Sequence, residues 1–171
     1  MQEPSLTRSR LSLSAPKKLA QGFYWQDIVV GQRFETFSRT ITETDLVNFI
    51  AVTGMLEAIF IDTTFEGGAI KGRPIPGALT YTLIEGFILQ SMIQGTGLAM
   101  LELQQKIFQP VLVGDTIRGV IEVVDIRPTA NHGRAVVISS ISVLNQRNEK
   151  VMHYVATRLL AGRDGVNNHY S

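Results

Sequence analysis

The sequence predicts an α+β domain in which a curved antiparallel sheet wraps around one long buried helix. The segment 78–94, ALTYTLIEGFILQSMIQ, is apolar nearly all round, and a helix without a polar face has to be enclosed. Four runs rich in β-branched residues follow it at 98–108, 116–126, 135–144 and 151–160, separated by turn residues at Gly114-Asp115, 128–133 and 145–149. The chain has 171 residues, 44% of them hydrophobic, a length at which one domain buries roughly 70% of its unfolded surface without metals or disulfides. Wrapping hides all of the helix and one face of the sheet, which accounts for the composition of both.

Residues 1–22 are rich in Ser, Lys and Arg and too poor in apolar residues to form a packed face, so a flexible arm is expected there. A single domain spans 23–163, opening on Phe23, Tyr24, Trp25 and Ile28, and a tail covers 164–171. The stretch 33–41 alternates well enough for a strand, with Phe34 and Ile41 facing inward. Thr42 and Asp45 then form a capping box with Asp in place of Glu. Leu46, Phe49, Ile50 and Thr53 recur at helical spacing, and Gly54 supplies the stop. No period is visible from 55 to 76, where Gly67, Gly68, Gly72, Pro74 and Pro76 mark a long loop. Gly77 opens the apolar helix, and the last four strands read as a meander with short connections. A unit of this kind leaves sheet edges exposed, so self-association is expected.

Charge and composition exclude several functions. Sixteen Lys and Arg against fifteen Asp and Glu give a net charge of +1, without the excess that a phosphate backbone requires, so no nucleic-acid partner is expected. The absence of cysteine removes thiolate metal sites, iron–sulfur clusters and Cys nucleophiles and suits a cytoplasmic setting. The most apolar stretch contains Glu85 and Gln90 and falls short of the roughly 20 apolar residues of a membrane span. No metal and no cofactor are expected.

Three segments, VGQRFETFSRTITETDLVNFIAVTG (30–54), PGALTYTLIEG (76–86) and PVLVGDTI (110–117) followed by VLNQRNEKV (143–151), resemble the MaoC-like family of hot-dog proteins, which includes (R)-specific enoyl-CoA hydratases. The resemblance runs from about Phe23 to Arg163 and implies the hot-dog fold and an acyl-CoA or other acyl thioester as ligand. After the first helix the family pattern is Gly-Asp-x-Asn-Pro-x-His-x-Asp. Here that window contains Gly54, Met55, Glu57, Ala58, Phe60 and Asp62, so Met55 stands at the position of the catalytic Asp and Phe60 at that of the catalytic His. Hydration needs one group to take a proton from water and another to deliver one to carbon, a contribution of roughly 10²–10⁴-fold that a thioether and a phenyl ring cannot make. Pro76-Gly77 matches the family step whose backbone N–H holds the thioester carbonyl, at a helix N-terminus suited to an oxygen with developing negative charge.

Other residues admit a functional and a plain reading. Glu57, the one carboxylate within the altered window, is either a displaced base or an exposed loop residue. Asp62 reads as a local hydrogen bonder. Glu85, inside the apolar helix, either has a partner such as Arg or marks a cavity wall, and pairing is the expectation. Lys71 and Arg73 either meet the phosphates of CoA or are solvated. His132 falls in a turn, His153 in a strand without a second ligand at metal spacing, and His169 in the tail.

Three functions follow. The first is a thioester-binding protein with a degenerate site and low or no hydratase activity alone, acting as a homodimer or as the partner of a MaoC-like paralogue. The second is a hydratase, dehydratase or thioesterase with rewired residues, and the third a dimeric scaffold without a ligand.

Overall fold

The computed structural model describes residues 19–130 and 133–163, so His132, His169, the 164–171 tail and most of the 1–22 arm lie outside it. Gly22 and Phe23 already donate to the carbonyls of Gln94 and Met92, both at 2.8 Å, which ties this segment to the far end of the long helix.

The first helix, α1 (Glu43–Thr53), begins as the capping pattern predicts. The Thr42 hydroxyl accepts the Asp45 N–H at 3.3 Å, and the Asp45 carboxylate accepts the Thr42 N–H at 2.9 Å. Burial works against ionisation of Asp45, but the Thr42 N–H and hydroxyl and the nearby Arg39 outweigh it and hold the carboxyl below its usual range. Leu46 and Ile50 face the core. Gly54 ends the helix at φ 72°, a left-handed conformation that a side chain would strain, and returns its N–H to the Ile50 carbonyl at 2.9 Å.

The single strand expected at 33–41 is two short ones, β1 (Arg33–Glu35) and β2 (Arg39–Thr40). Both pair antiparallel with β4 (Thr116–Pro128), β1 setting Phe34 opposite Ile121 and β2 setting Arg39 opposite Ile117, so the register slips by one residue between them. The slip falls where Thr36 turns its hydroxyl to accept the Gly119 N–H at 2.9 Å. The strand bends there and lays Phe37 against Phe87 of the long helix, with ring centroids 4.2 Å apart. Ile41 is fully buried, and Phe34 packs half-buried against the core.

That helix, α3 (Gly77–Ser91), spans roughly 22 Å at the usual rise. The sheet has the order β1-β4-β5-β6-β3, where β3 is Gly97–Ile107, β5 Ala135–Leu144 and β6 Lys150–Leu160. Only β4, β5 and β6 form a meander. The expectation of four successive neighbours is corrected, because β3 lies against β6 rather than β4. Between β3 and β4 the chain crosses the start of α3. There Ile75 donates to Val111 at 3.0 Å and Val113 to Arg73 at 2.9 Å, a path too long for a hairpin.

Alternate residues of β5 (Ala135, Val137, Ser139, Ile141, Val143) and of β6 (Met152, Tyr154, Ala156, Arg158, Leu160) are buried, and they meet Leu79, Ile84, Phe87 and Ile88 of α3. Each such aliphatic side chain contributes about 1.5–3 kcal/mol by leaving water. Enclosure of α3 within one chain is incomplete. Leu89 is 50% exposed, and all eleven residues of β3 are exposed, although one edge of that strand is hydrogen-bonded to β6.

Candidate functional site

The start of α3 is held by residues that leave its first amides free. Pro76 is the N-cap and is buried, and Leu79 and Thr80 both donate to its carbonyl, at 2.9 and 3.3 Å. The N–H groups of Gly77 and Ala78 are the donors that the helix itself cannot satisfy. Gly77 is favoured by packing rather than by its dihedral angle: a Cβ there would lie 2.4 Å from Ile107 Cδ1, so the side chain of β3 sits directly on the helix start and would have to shift.

A cleft of about 370 Å³ opens at this point. Its wall includes Phe60, Ile75, Gly77, Thr80, Ile107 and Met152, and no Asp, Glu, His, Lys or Arg among the described residues lines it. Phe60 lies on α2 (Ala58–Ile61), a short helix within the segment expected to be wholly loop. Four residues are too few for a period to show. The readable signal was Glu57, whose carboxylate caps α2 by accepting the Ala58 N–H at 3.1 Å. Glu57 is exposed and outside the cleft wall, and so is Met55. Asp62 accepts both the N–H and the hydroxyl of Thr64, at 2.8 and 2.6 Å, which holds its carboxyl below the usual range.

The two basic residues part company. Lys71 is exposed and lines a concavity on the outer side of the 62–74 segment. Arg73 also borders it, but its guanidinium is bound by Glu43 of α1, with Nε at 3.1 and 3.3 Å and Nη2 at 2.7 Å from the carboxylate. The Arg73 hydrogen bond holds the Glu43 carboxyl below its ordinary range. That pair fastens the long connection to α1.

Glu85 does have an arginine partner. Its Oε1 accepts the Tyr154 hydroxyl at 2.8 Å and also Nη2 of Arg158, both from β6 and both buried. Burial, and then the charge of Glu85, push the Tyr154 hydroxyl far above its ordinary pKa, so it remains a donor. Tyr81 meets the Tyr154 ring edge-on at 5.3 Å, and its hydroxyl is raised by the same two causes. This cluster borders a second cavity, about 520 Å³, between α3 and β3, whose walls include Tyr81, Leu89, Leu98 and Met100. His153 is half-buried on the opposite face of β6, with Nδ1 unpartnered.

No family model matches the chain, and no curated protein matches it. Solved structures do. A MaoC-like dehydratase from Rhodospirillum rubrum is 20% identical with a TM-score of 0.74, over 83% of this chain and 99% of that one. An (R)-hydratase from Pseudomonas aeruginosa, unliganded, is 25% identical with a TM-score of 0.68, over 84% and 88%. A Mycobacterium tuberculosis protein with a double hot-dog fold is 16% identical with a TM-score of 0.73, over 88% of this chain and 46% of that one, so this chain spans about half of it. A buried helix against an antiparallel sheet, together with these likenesses, therefore places the chain by its fold among the hot-dog proteins that include the MaoC-like dehydratases and (R)-hydratases.

Proposed function

We propose that this chain binds acyl thioesters, such as acyl-CoA, without turning them over by the hydratase route, and that it works in the cytoplasm as a dimer or beside a catalytic paralogue. One observation carries the reading: the cleft at Gly77, whose N–H the helix leaves unpaired, has a largely apolar wall with no titratable side chain among the described residues. A carbonyl oxygen suits that donor, an acyl chain suits the wall, and nothing in it can pass a proton to or from water. Phe60 occupies space where the resemblance implies a histidine. Glu57, the candidate for rewired chemistry, is spent on capping α2, which speaks against the second reading.

Two measurements on the purified chain test this. A short acyl-CoA present at 100 times its dissociation constant should raise the unfolding free energy by about 2.7 kcal/mol, whereas a scaffold without a ligand would show no shift. Crotonyl-CoA should be hydrated no faster than the buffer blank. Hydration that disappears in the Glu57→Gln variant would establish the rewired enzyme instead.

A further inference from the structure

The side of α3 that opens on the cleft runs on into the second cavity. Gly77, Tyr81, Glu85 and Leu89 follow one another at four-residue spacing and so share one stripe of the helix. Gly77 lines the cleft, whereas Tyr81, Glu85 and Leu89 line the second cavity. The helix-facing residues of β6 divide in the same way, with Met152 in the wall of the cleft and Arg158 in that of the second cavity. Tyr154 stands between those two in the strand, is fully buried and borders neither space. The edge-on contact of the Tyr81 and Tyr154 rings therefore lies where one cavity ends and the other begins.

The pair is held in place. The Tyr154 hydroxyl donates to Glu85 at 2.8 Å and Arg158 donates to the same oxygen, so one helix carboxylate gathers two donors from β6. An acyl chain that pushed the Tyr154 ring aside would strip a buried carboxylate of a donor, a loss that one more buried methylene does not repay. From Gly77 to Tyr81 the helix rises about 6 Å. A butyryl group whose carbonyl is held at the Gly77 N–H fits within that distance, and an octanoyl group does not. We infer that the Tyr81–Tyr154 pair forms the inner end wall of the cleft and restricts this chain to short acyl thioesters, with Glu85 and Arg158 positioning the wall. The limit rests on the thioester reading above and names the class of acyl group that the cleft admits.

Titration calorimetry of the full chain with CoA and with its acetyl, butyryl, hexanoyl and octanoyl esters tests the limit. Each methylene buried in the cleft should tighten binding about fourfold, so affinity should climb from acetyl-CoA to butyryl-CoA. It should then stop, with octanoyl-CoA bound no more tightly than butyryl-CoA. Tyr81→Ala removes a half-buried ring whose hydroxyl has no hydrogen-bond partner among the described residues, and Tyr154→Leu shortens the other side chain while Glu85 keeps Arg158. Either variant should bind octanoyl-CoA roughly tenfold more tightly than the wild type does and acetyl-CoA within about twofold of it. Tyr81→Phe, which keeps the ring, should behave as the wild type. Affinity that climbs steadily to octanoyl-CoA in the wild type overturns the limit and leaves thioester binding standing. So does a folded Tyr81→Ala chain in which octanoyl-CoA gains nothing. Esters that bind no better than CoA itself overturn the thioester reading and the limit together.

Discussion

Truncating Glu85 would leave the guanidinium of Arg158 buried without its counter-charge, so Glu85→Ala should cost about 3–5 kcal/mol in urea unfolding. The joint change Glu85→Leu with Arg158→Met should recover most of that loss, because the desolvation of both charges disappears with them. Tyr154→Phe, which removes one hydrogen bond to the carboxylate, should cost about 1.5–3 kcal/mol. A carboxylate within an apolar helix announces in the sequence that it has a partner. Which residue serves was hidden, since Arg158 is 73 positions away and its side of β6 depends on the register of the whole sheet. The two positions at which the resemblance implies catalytic residues show the same division. Met55 and Phe60 are legible as apolar replacements, but only the fold reveals that Phe60 lines the cleft and Met55 does not. Gly77→Ala should destabilise by about 1 kcal/mol, the low end of overpacking because the atom met is the tip of a half-exposed Ile107, and Ile107→Ala should relieve it.

Among the elements, the pair of Glu43 and Arg73 joins α1 to the 62–74 connection, and its response to pH has a definite sign. The Glu43 carboxyl is held low in the fold, so its contribution is complete above the ordinary carboxylate range and fades as the pH falls through the depressed value. The pair is largely exposed and amounts to about 0.2–1 kcal/mol. Protection of residues 62–74 against hydrogen exchange, taken relative to the intrinsic rate at each pH, should therefore fall below about pH 4.5 in the wild type and be lower already at pH 7 in Glu43→Gln. Elements whose signal is local were legible: α1 from its capping pattern and Gly54, α3 from its continuous apolar surface, and β4 to β6 from their β-branched runs between turn residues. What depends on distant partners was not. The break between β1 and β2 arises where Thr36 is drawn to Gly119, and the position of β3 beyond β6 is set by the long crossing over α3, for which no short stretch of sequence gives a sign.

For the whole molecule, the proposed dimer would couple folding to association, so the melting temperature should rise across a dilution series from low to high micromolar. A single chain would melt at one temperature throughout. The placement of β3 has another consequence, for the order in which the chain becomes a structure. β3 precedes β4 in the chain, yet its hydrogen-bonded neighbour is β6, the last strand made. On the ribosome α3 and β3 emerge with their cover still about sixty residues behind, several seconds at usual elongation rates. In that interval a long apolar helix and an unpaired strand are both in contact with solvent, the condition in which nascent chains aggregate or are held by chaperones. A chain truncated after Leu144 should therefore be recovered as insoluble material, while restoring β6 through Leu160 should return it to the supernatant.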